Sequence, residues 1–139
     1  MKKYLEENNF ENIDFLYNNS YLYENRIISG SRGWDTSDTS EDRKILRREN
    51  LRLELSLEEG VNKYGTEKEI IVCMHYPPFN ECEELELDFI STMKKYNVKK
   101  CVYGHIHGKG QAEAKEGDIK GIEFKLVSSD YLDFKLVMI

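Results

Sequence analysis

Two short apolar runs, each followed closely by histidine, constrain the fold of this chain more than any other feature. The run Ile70–Met74, in a predicted strand Glu69–Met74, precedes His75. The run Lys100–Tyr103, in a predicted strand Val98–Tyr103, precedes a glycine-flanked segment that holds His105 and His107. The stretch between the two runs has apolar residues at a spacing of four, which is typical of a helix. A strand–helix–strand unit of this length usually forms two neighbouring parallel strands. We therefore predict an α/β fold in which both strands end at one edge of the sheet.

The rest of the chain predicts further strands and one long helix around this unit. The long helix begins at Ser40, where Glu41 and Asp42 lie near the positive end of its dipole, and it runs to about Lys63. Its apolar positions form one broad face that should pack on the sheet. The other predicted elements are a helix end at Lys2–Asn9, strands at Ile13–Tyr17, Tyr21–Tyr23 and Arg26–Ser29, a crossover helix at Glu83–Tyr96, a polar loop at Lys109–Asp118, and strands at Gly121–Val127 and Tyr131–Val137.

Length and composition indicate one globular domain over residues 1–139. The net charge of −6 argues against a nucleic-acid-binding or anionic-membrane-binding protein, which would carry a basic face. No stretch reaches the roughly 20 apolar residues of a membrane span, and the N-terminus lacks the apolar region of a signal peptide. Cys73, Cys82 and Cys101 have no CxxC spacing, which favours reduced thiols. We expect a cytoplasmic protein.

The three histidines are candidate metal ligands because the predicted topology brings them to one sheet edge. His105 and His107 are two residues apart, so extended backbone would project both rings to the same side. His75 would meet them from the neighbouring strand end, and imidazole is the commonest protein ligand for zinc-like metals. A single histidine at a strand end is more often a structural or surface residue, so that alternative stays open.

Two segments resemble the last two motifs of the calcineurin-like metallophosphoesterases. These segments are His75-Tyr76-Pro77-Pro78 and Gly104-His105-Ile106-His107. Ser29–Trp34, the helix around Leu51–Leu55, and Gly121–Phe134 are also similar to a bacterial subgroup of predicted phosphohydrolases. The similarity extends over essentially the whole chain.

The resemblance implies a sandwich of β-sheets flanked by helices, and hydrolysis of phosphate mono- or diesters. It also implies two divalent transition metals, Mn, Fe, Zn or Ni, with His75 and His105 on one metal and His107 on the other. The expected partner is a phosphorylated small molecule or another phosphoester substrate. Arg32, in a glycine-rich loop, could bind a phosphate oxygen through its guanidinium fork. Trp34 could wall the pocket, although packing is its commoner role.

Three earlier motifs of that family, Asp-x-His, Gly-Asp-x-x-Asp and Gly-Asn-His-Asp, do not occur here. We interpret the 139 residues as the C-terminal part of a metallophosphoesterase domain that lacks its N-terminal strands and helices. Such a chain should be weak or inactive, with no assigned catalytic residue and one metal rather than two. It should also self-associate through the apolar surface that the missing half would cover. The alternative is a non-catalytic metal-binding or oligomerisation module.

A second divalent metal would need an anionic ligand in addition to three neutral imidazoles. Four aspartates are possible substitutes, although each is more typical of a turn or helix cap. Asp130, between two predicted strands, is the strongest of the candidates Asp35, Asp38, Asp118 and Asp130.

Overall fold

A mixed sheet of six strands organises the part of the chain that the computed structural model describes, residues 2–34, 39–79 and 89–139. The elements in chain order are α1 (Lys2–Glu7), β1 (Tyr21–Tyr23), β2 (Arg26–Ser31), α2 (Ser40–Tyr64), β3 (Glu69–Met74), α3 (Phe89–Lys95), β4 (Lys100–Tyr103), a 3₁₀ helix (Gly108–Glu113), β5 (Gly117–Ile119) and β6 (Ile122–Leu126). This arrangement confirms the α/β class.

The strand order is β1-β2-β3-β4-β6-β5, with four parallel strands in the middle. The short strands β1 and β5 pair antiparallel with β2 and β6 and form the two edges. Strands β3 and β4 are parallel neighbours, as predicted, with Ile71 opposite Lys100 and Met74 opposite Tyr103. The C-terminal ends of β2, β3, β4 and β6 therefore lie along one edge of the sheet.

One face of the sheet and helix α2 form the main hydrophobic core. Across the parallel strands, Val72 lies opposite Cys101, which lies opposite Phe124, so these buried side chains share a face. Helix α2 contributes Leu53 and Leu57, both fully buried in the same cluster. Helix α3 contacts α2 and adds Phe89 and Met93 to the core. Both crossover helices thus contribute to one apolar layer on the sheet.

Helix α2 has a capping residue at each end. Thr39 is the N-cap, and its side chain accepts a hydrogen bond from the backbone amide of Asp42. Glu41 and Asp42 stand in the first turn, where the helix dipole favours negative charge. Gly65 ends the helix with a φ of 97°, a conformation that favours glycine. The predicted helix is confirmed to within one residue at its C-terminal end.

The predicted strand at Ile13–Tyr17 is wrong. The segment has no strand pairing, and Tyr17 is largely exposed. The Asn19 side chain accepts a hydrogen bond from the Tyr17 amide, and Asn18 has a left-handed φ of 56°. Asparagines that bind nearby backbone groups in this way compete with strand pairing.

The predicted strand at Tyr131–Val137 is also wrong. Its backbone folds into turns, in which the Tyr131 and Leu132 amides donate to the Ser128 carbonyl at 3.0 and 3.2 Å. The alternating apolar pattern is not buried, because Phe134 is 82% exposed. Alternation indicates a strand only where a second surface covers the apolar side.

Two smaller differences concern one loop and one strand end. The predicted polar loop at Lys109–Asp118 contains most of the 3₁₀ helix and the start of β5. The second central strand begins at Lys100 rather than at Val98. The first part of the predicted crossover helix, with Cys82 nearby, lies outside the described residues.

No helix in the described ranges is long and apolar enough to cross a membrane.

Gly60 lies on the buried side of α2, and its replacement tests the helix–sheet contact. Alanine is normally the better helix former by about 1 kcal/mol. At position 60, however, a Cβ atom would stand 2.6 Å from Ile27 Cγ2 and 3.1 Å from Ser20 Oγ. We therefore expect Gly60→Ala to lower the free energy of unfolding in urea by about 1–3 kcal/mol.

A double-mutant cycle controls this experiment. In an Ile27→Ala background the contacted methyl group is absent, so Gly60→Ala should be less destabilising there. A stability gain from Gly60→Ala in the unmodified chain would contradict the close packing of α2 on β2.

Candidate metal centre

His75 and His105 come together because β3 and β4 end side by side. His75 follows the last residue of β3 directly, and His105 is two residues beyond the end of β4. The Gly104 amide donates to the His75 carbonyl at 3.2 Å, which joins the two loops just beyond the strands. The Nδ1 atom of His105 lies 3.2 Å from the Nε2 atom of His75. The sequence predicts that three imidazoles meet at this edge. The structure brings His75 and His105 together there, whereas His107 pairs with Asp130.

The backbone at His105 has an unusual conformation. Its φ of 70° lies in the left-handed region, which non-glycine residues adopt at a cost of about 1–2 kcal/mol. The Ile106 amide donates to the Gly104 carbonyl at 2.9 Å and closes a tight turn around this residue. Backbone strain of this kind clusters at functional sites. Here it directs the His105 ring towards His75.

Tyr76 packs against both rings of the histidine pair. Its ring centroid lies 4.1 Å from that of His105 and 4.9 Å from that of His75. On its other side, Tyr76 contacts Trp34, whose centroid is 5.9 Å away. Sequence reasoning did not assign Tyr76 a role, although an aromatic residue next to a candidate ligand is a detectable feature. The contacts restrict the positions of both imidazoles.

His107 has a different partner, Asp130. The His107 Nδ1 atom and Asp130 Oδ1 are 2.7 Å apart. The other carboxylate oxygen of Asp130 accepts hydrogen bonds from the Gly108 amide at 3.1 Å and from Gln111 Nε2 at 2.8 Å. Asp130 follows β6, so the fourth parallel strand also contributes a side chain to this edge.

The other candidate carboxylates do not join this cluster within the described chain. Asp118 accepts a hydrogen bond from the Gly121 amide at 3.2 Å in the turn between β5 and β6, the structural role that its position suggested. Asp35 and Asp38 lie outside the described residues.

Arg32 lies beside the histidine pair, at the end of β2. Its carbonyl accepts a hydrogen bond from the Tyr76 amide at 2.9 Å, which ties its loop to the loop of His75. Its guanidinium lies over the Trp34 ring, 4.6 Å from the centroid. The Trp34 ring also packs against the hydrophobic core, so packing is confirmed as one of its roles. The predicted phosphate-binding arginine is thus near the candidate site.

The electrostatics favour neutral imidazole at His75 and ionised carboxylate at Asp130. Burial lowers the pKa of His75, and the charges of His105, Arg32 and His107 lower it further. The hydrogen bond from the Gly108 amide, followed by that with His107, lowers the pKa of Asp130. Neutral imidazole and ionised carboxylate are the forms that bind metal ions.

The described side chains stand as two pairs, His75 with His105 and His107 with Asp130. Within residues 2–34, 39–79 and 89–139, no group of three or more histidine, cysteine, aspartate or glutamate side chains has an arrangement that could hold a metal ion. The sharing of one ion by three imidazoles stays a prediction.

Comparisons of this chain with protein-family models, curated proteins and solved structures found no match.

Gly33 controls the approach of the Arg32 loop to Tyr76. It has a φ of 69°, and an added Cβ would lie 3.0 Å from Met74 Cε and 3.2 Å from Tyr76 Cβ. Gly33→Ala should lower the free energy of unfolding in urea by about 1–3 kcal/mol, through backbone strain and crowding together. Gly121→Ala is the matched control, because Gly121 has a φ of 84° and nothing within 4 Å of its added Cβ. An equal loss in the two variants would contradict the close approach of these loops.

Proposed function

We propose that this chain binds a divalent transition metal at the C-terminal edge of its sheet and that the site acts in phosphoester hydrolysis. The observation that carries the metal proposal is the 3.2 Å separation between His105 Nδ1 and His75 Nε2. A tetrahedral ion with metal–nitrogen distances of about 2.0–2.1 Å would hold two such atoms about 3.3–3.4 Å apart. The observed separation of the two nitrogen atoms is therefore close to the one that a shared ion would require.

The His107–Asp130 pair supports the proposal as a ligand with its orienting carboxylate. An ionised Asp130 would accept a hydrogen bond from a proton carried on His107 Nδ1, and the lone pair on Nε2 would then be available to a metal. Metal-binding histidines commonly donate their other ring N–H to a carboxylate in this way. His107 and Asp130 thus have the chemistry of a third ligand and its support.

The phosphoester part of the proposal rests on the family resemblance together with the position of Arg32. A divalent ion at this edge would supply positive charge to polarise a phosphoryl oxygen. Arg32 is half-exposed and held over Trp34, and its planar donors match phosphate oxygens. Tyr76 and Trp34 would form an aromatic wall next to such a substrate.

A metal titration tests the first part of the proposal. We expect about one Zn²⁺ or Mn²⁺ ion per chain, with His75→Ala and His105→Ala each removing most of the binding measured by calorimetry. Asp130→Asn should weaken binding by about 10–100-fold, because it removes the carboxylate that orients His107. Asp133→Asn is the control, since Asp133 is exposed and pairs with Lys135.

Turnover of an aryl phosphate ester tests the second part. Hydrolysis that requires the added metal and disappears in His75→Ala would support the phosphoesterase. Metal binding without hydrolysis would support the second candidate, a non-catalytic metal-binding or oligomerisation module. Unchanged metal content in both His75→Ala and His105→Ala would refute the metal site itself.

The second candidate is favoured by the exposed apolar residues near the C-terminus. Phe134, Leu136 and Met138 each expose more than four-fifths of their maximum surface. Apolar side chains clustered on a surface tend to mediate association. We therefore expect the molar mass from light scattering to rise with protein concentration, and the rise to diminish in a Phe134→Ser/Leu136→Ser/Met138→Ser variant. A concentration-independent monomer would count against self-association.

A further inference from the structure

We propose that a cavity beside α2 is a binding site for a phosphate group, separate from the histidine edge. The cavity has a volume of about 210 Å³ and lies between the segment before β1, the end of β2 and helix α2. Its polar lining residues include Tyr17, Asn18, Ser31, Arg32, Glu49 and Arg52. Since this inference requires no metal, it goes beyond the function proposed above.

An excess of arginine surrounds one buried carboxylate at this cavity. Glu49 is 1% exposed, and its Oε1 atom lies 2.7 Å from Arg52 Nη1, 3.7 Å from Arg32 Nη2 and 3.7 Å from Arg48 Nε. Three guanidiniums around one carboxylate leave two positive charges in excess within the cluster. The local charge is therefore opposite in sign to the net charge of −6 of the chain.

Glu49 fixes the two arginines that line the cavity without using all of their donors. Each guanidinium has five N–H donors, and the contact of Arg32 with Glu49 is longer than a hydrogen bond. The Arg52 guanidinium is also held over the Tyr17 ring, 5.4 Å from its centroid. Donors positioned in this way form a preorganised site for an oxyanion.

Phosphate fits this arrangement because the planar guanidinium donors of Arg32 and Arg52 match its oxygens. The third basic member of the cluster, Arg48, adds to the positive potential around Glu49.

The size of the cavity indicates a small ligand. Sites for drug-sized molecules and cofactors measure about 300–1,000 Å³. The cavity of about 210 Å³ suits free phosphate or the phosphate group of a small monoester. Free phosphate and a phosphate monoester present the same chemical group. The affinities of inorganic phosphate and glycerol phosphate show which of the two the cavity prefers.

Phosphate titration of the metal-free chain tests the proposal. The protein is treated with chelator, dialysed, and titrated with inorganic phosphate by calorimetry. We expect saturable binding of one phosphate per chain, weakened about tenfold or more in Arg52→Gln, because a charge-assisted hydrogen bond is lost. Arg47→Gln is the matched control, since Arg47 is an exposed arginine of the same helix.

A second variant shows whether weaker phosphate binding results from misfolding. Removing Arg52 alone withdraws the closest partner of buried Glu49, whereas Glu49→Gln/Arg52→Gln removes the pair together. The double variant should retain the circular dichroism spectrum of the unmodified chain and bind phosphate about tenfold or more weakly, because the Arg52 donors are lost although the excess of two positive charges stays.

Two results would overturn the proposal. They are unchanged phosphate affinity in both variants, and loss of phosphate binding in His75→Ala. The last result would place the anion at the histidine edge instead. Metal binding by the same His75→Ala protein is measured separately, so failure of the metal proposal is distinguishable from failure of this one.

Discussion

The parallel pairing of β3 with β4 is the interaction on which the rest of the arrangement depends. It aligns Met74 with Tyr103, so the chain leaves both strands at the same height. The Gly104 amide then continues the pairing by donating to the His75 carbonyl, which brings the two imidazoles into contact. Strands β2 and β6 flank this pair and bring Arg32 and Asp130 to the same edge. Ligand sites in open α/β sheets lie at such edges.

Sequence predicts the central elements of this fold well because their determinants are local. Ile70–Met74 is apolar at successive positions, as expected of a strand covered on both faces, and the predicted strand Glu69–Met74 has the bounds of β3. Helix α2 is long and has capping residues at both ends. The segments Ile13–Tyr17 and Tyr131–Val137 have a strand-like composition but no strand pairing. Their backbones instead bind nearby groups in turns, which composition alone does not reveal.

The candidate site also contains contacts that the sequence could predict and contacts that it could not. The meeting of His75 and His105 follows from one strand–helix–strand unit, so sequence could predict it. The pairing of His107 with Asp130 depends on β6 lying next to β4, and no local pattern specifies that strand order. The arginines around Glu49 depend on the rotation of α2 relative to the end of β2, which is a tertiary property. Pattern-based reasoning therefore finds the ligands more readily than the residues that orient them.

The position of Arg32 has a thermodynamic consequence for the two proposed sites. Its charge disfavours positive charge at His75, and its side chain also lines the cavity beside α2. An anion held against this guanidinium would offset that repulsion and ease the entry of a dication at the imidazoles. By linkage, the dication would then strengthen retention of the anion by the same factor. If both proposed sites bind their ligands, Arg32 between them would make their occupancies cooperative.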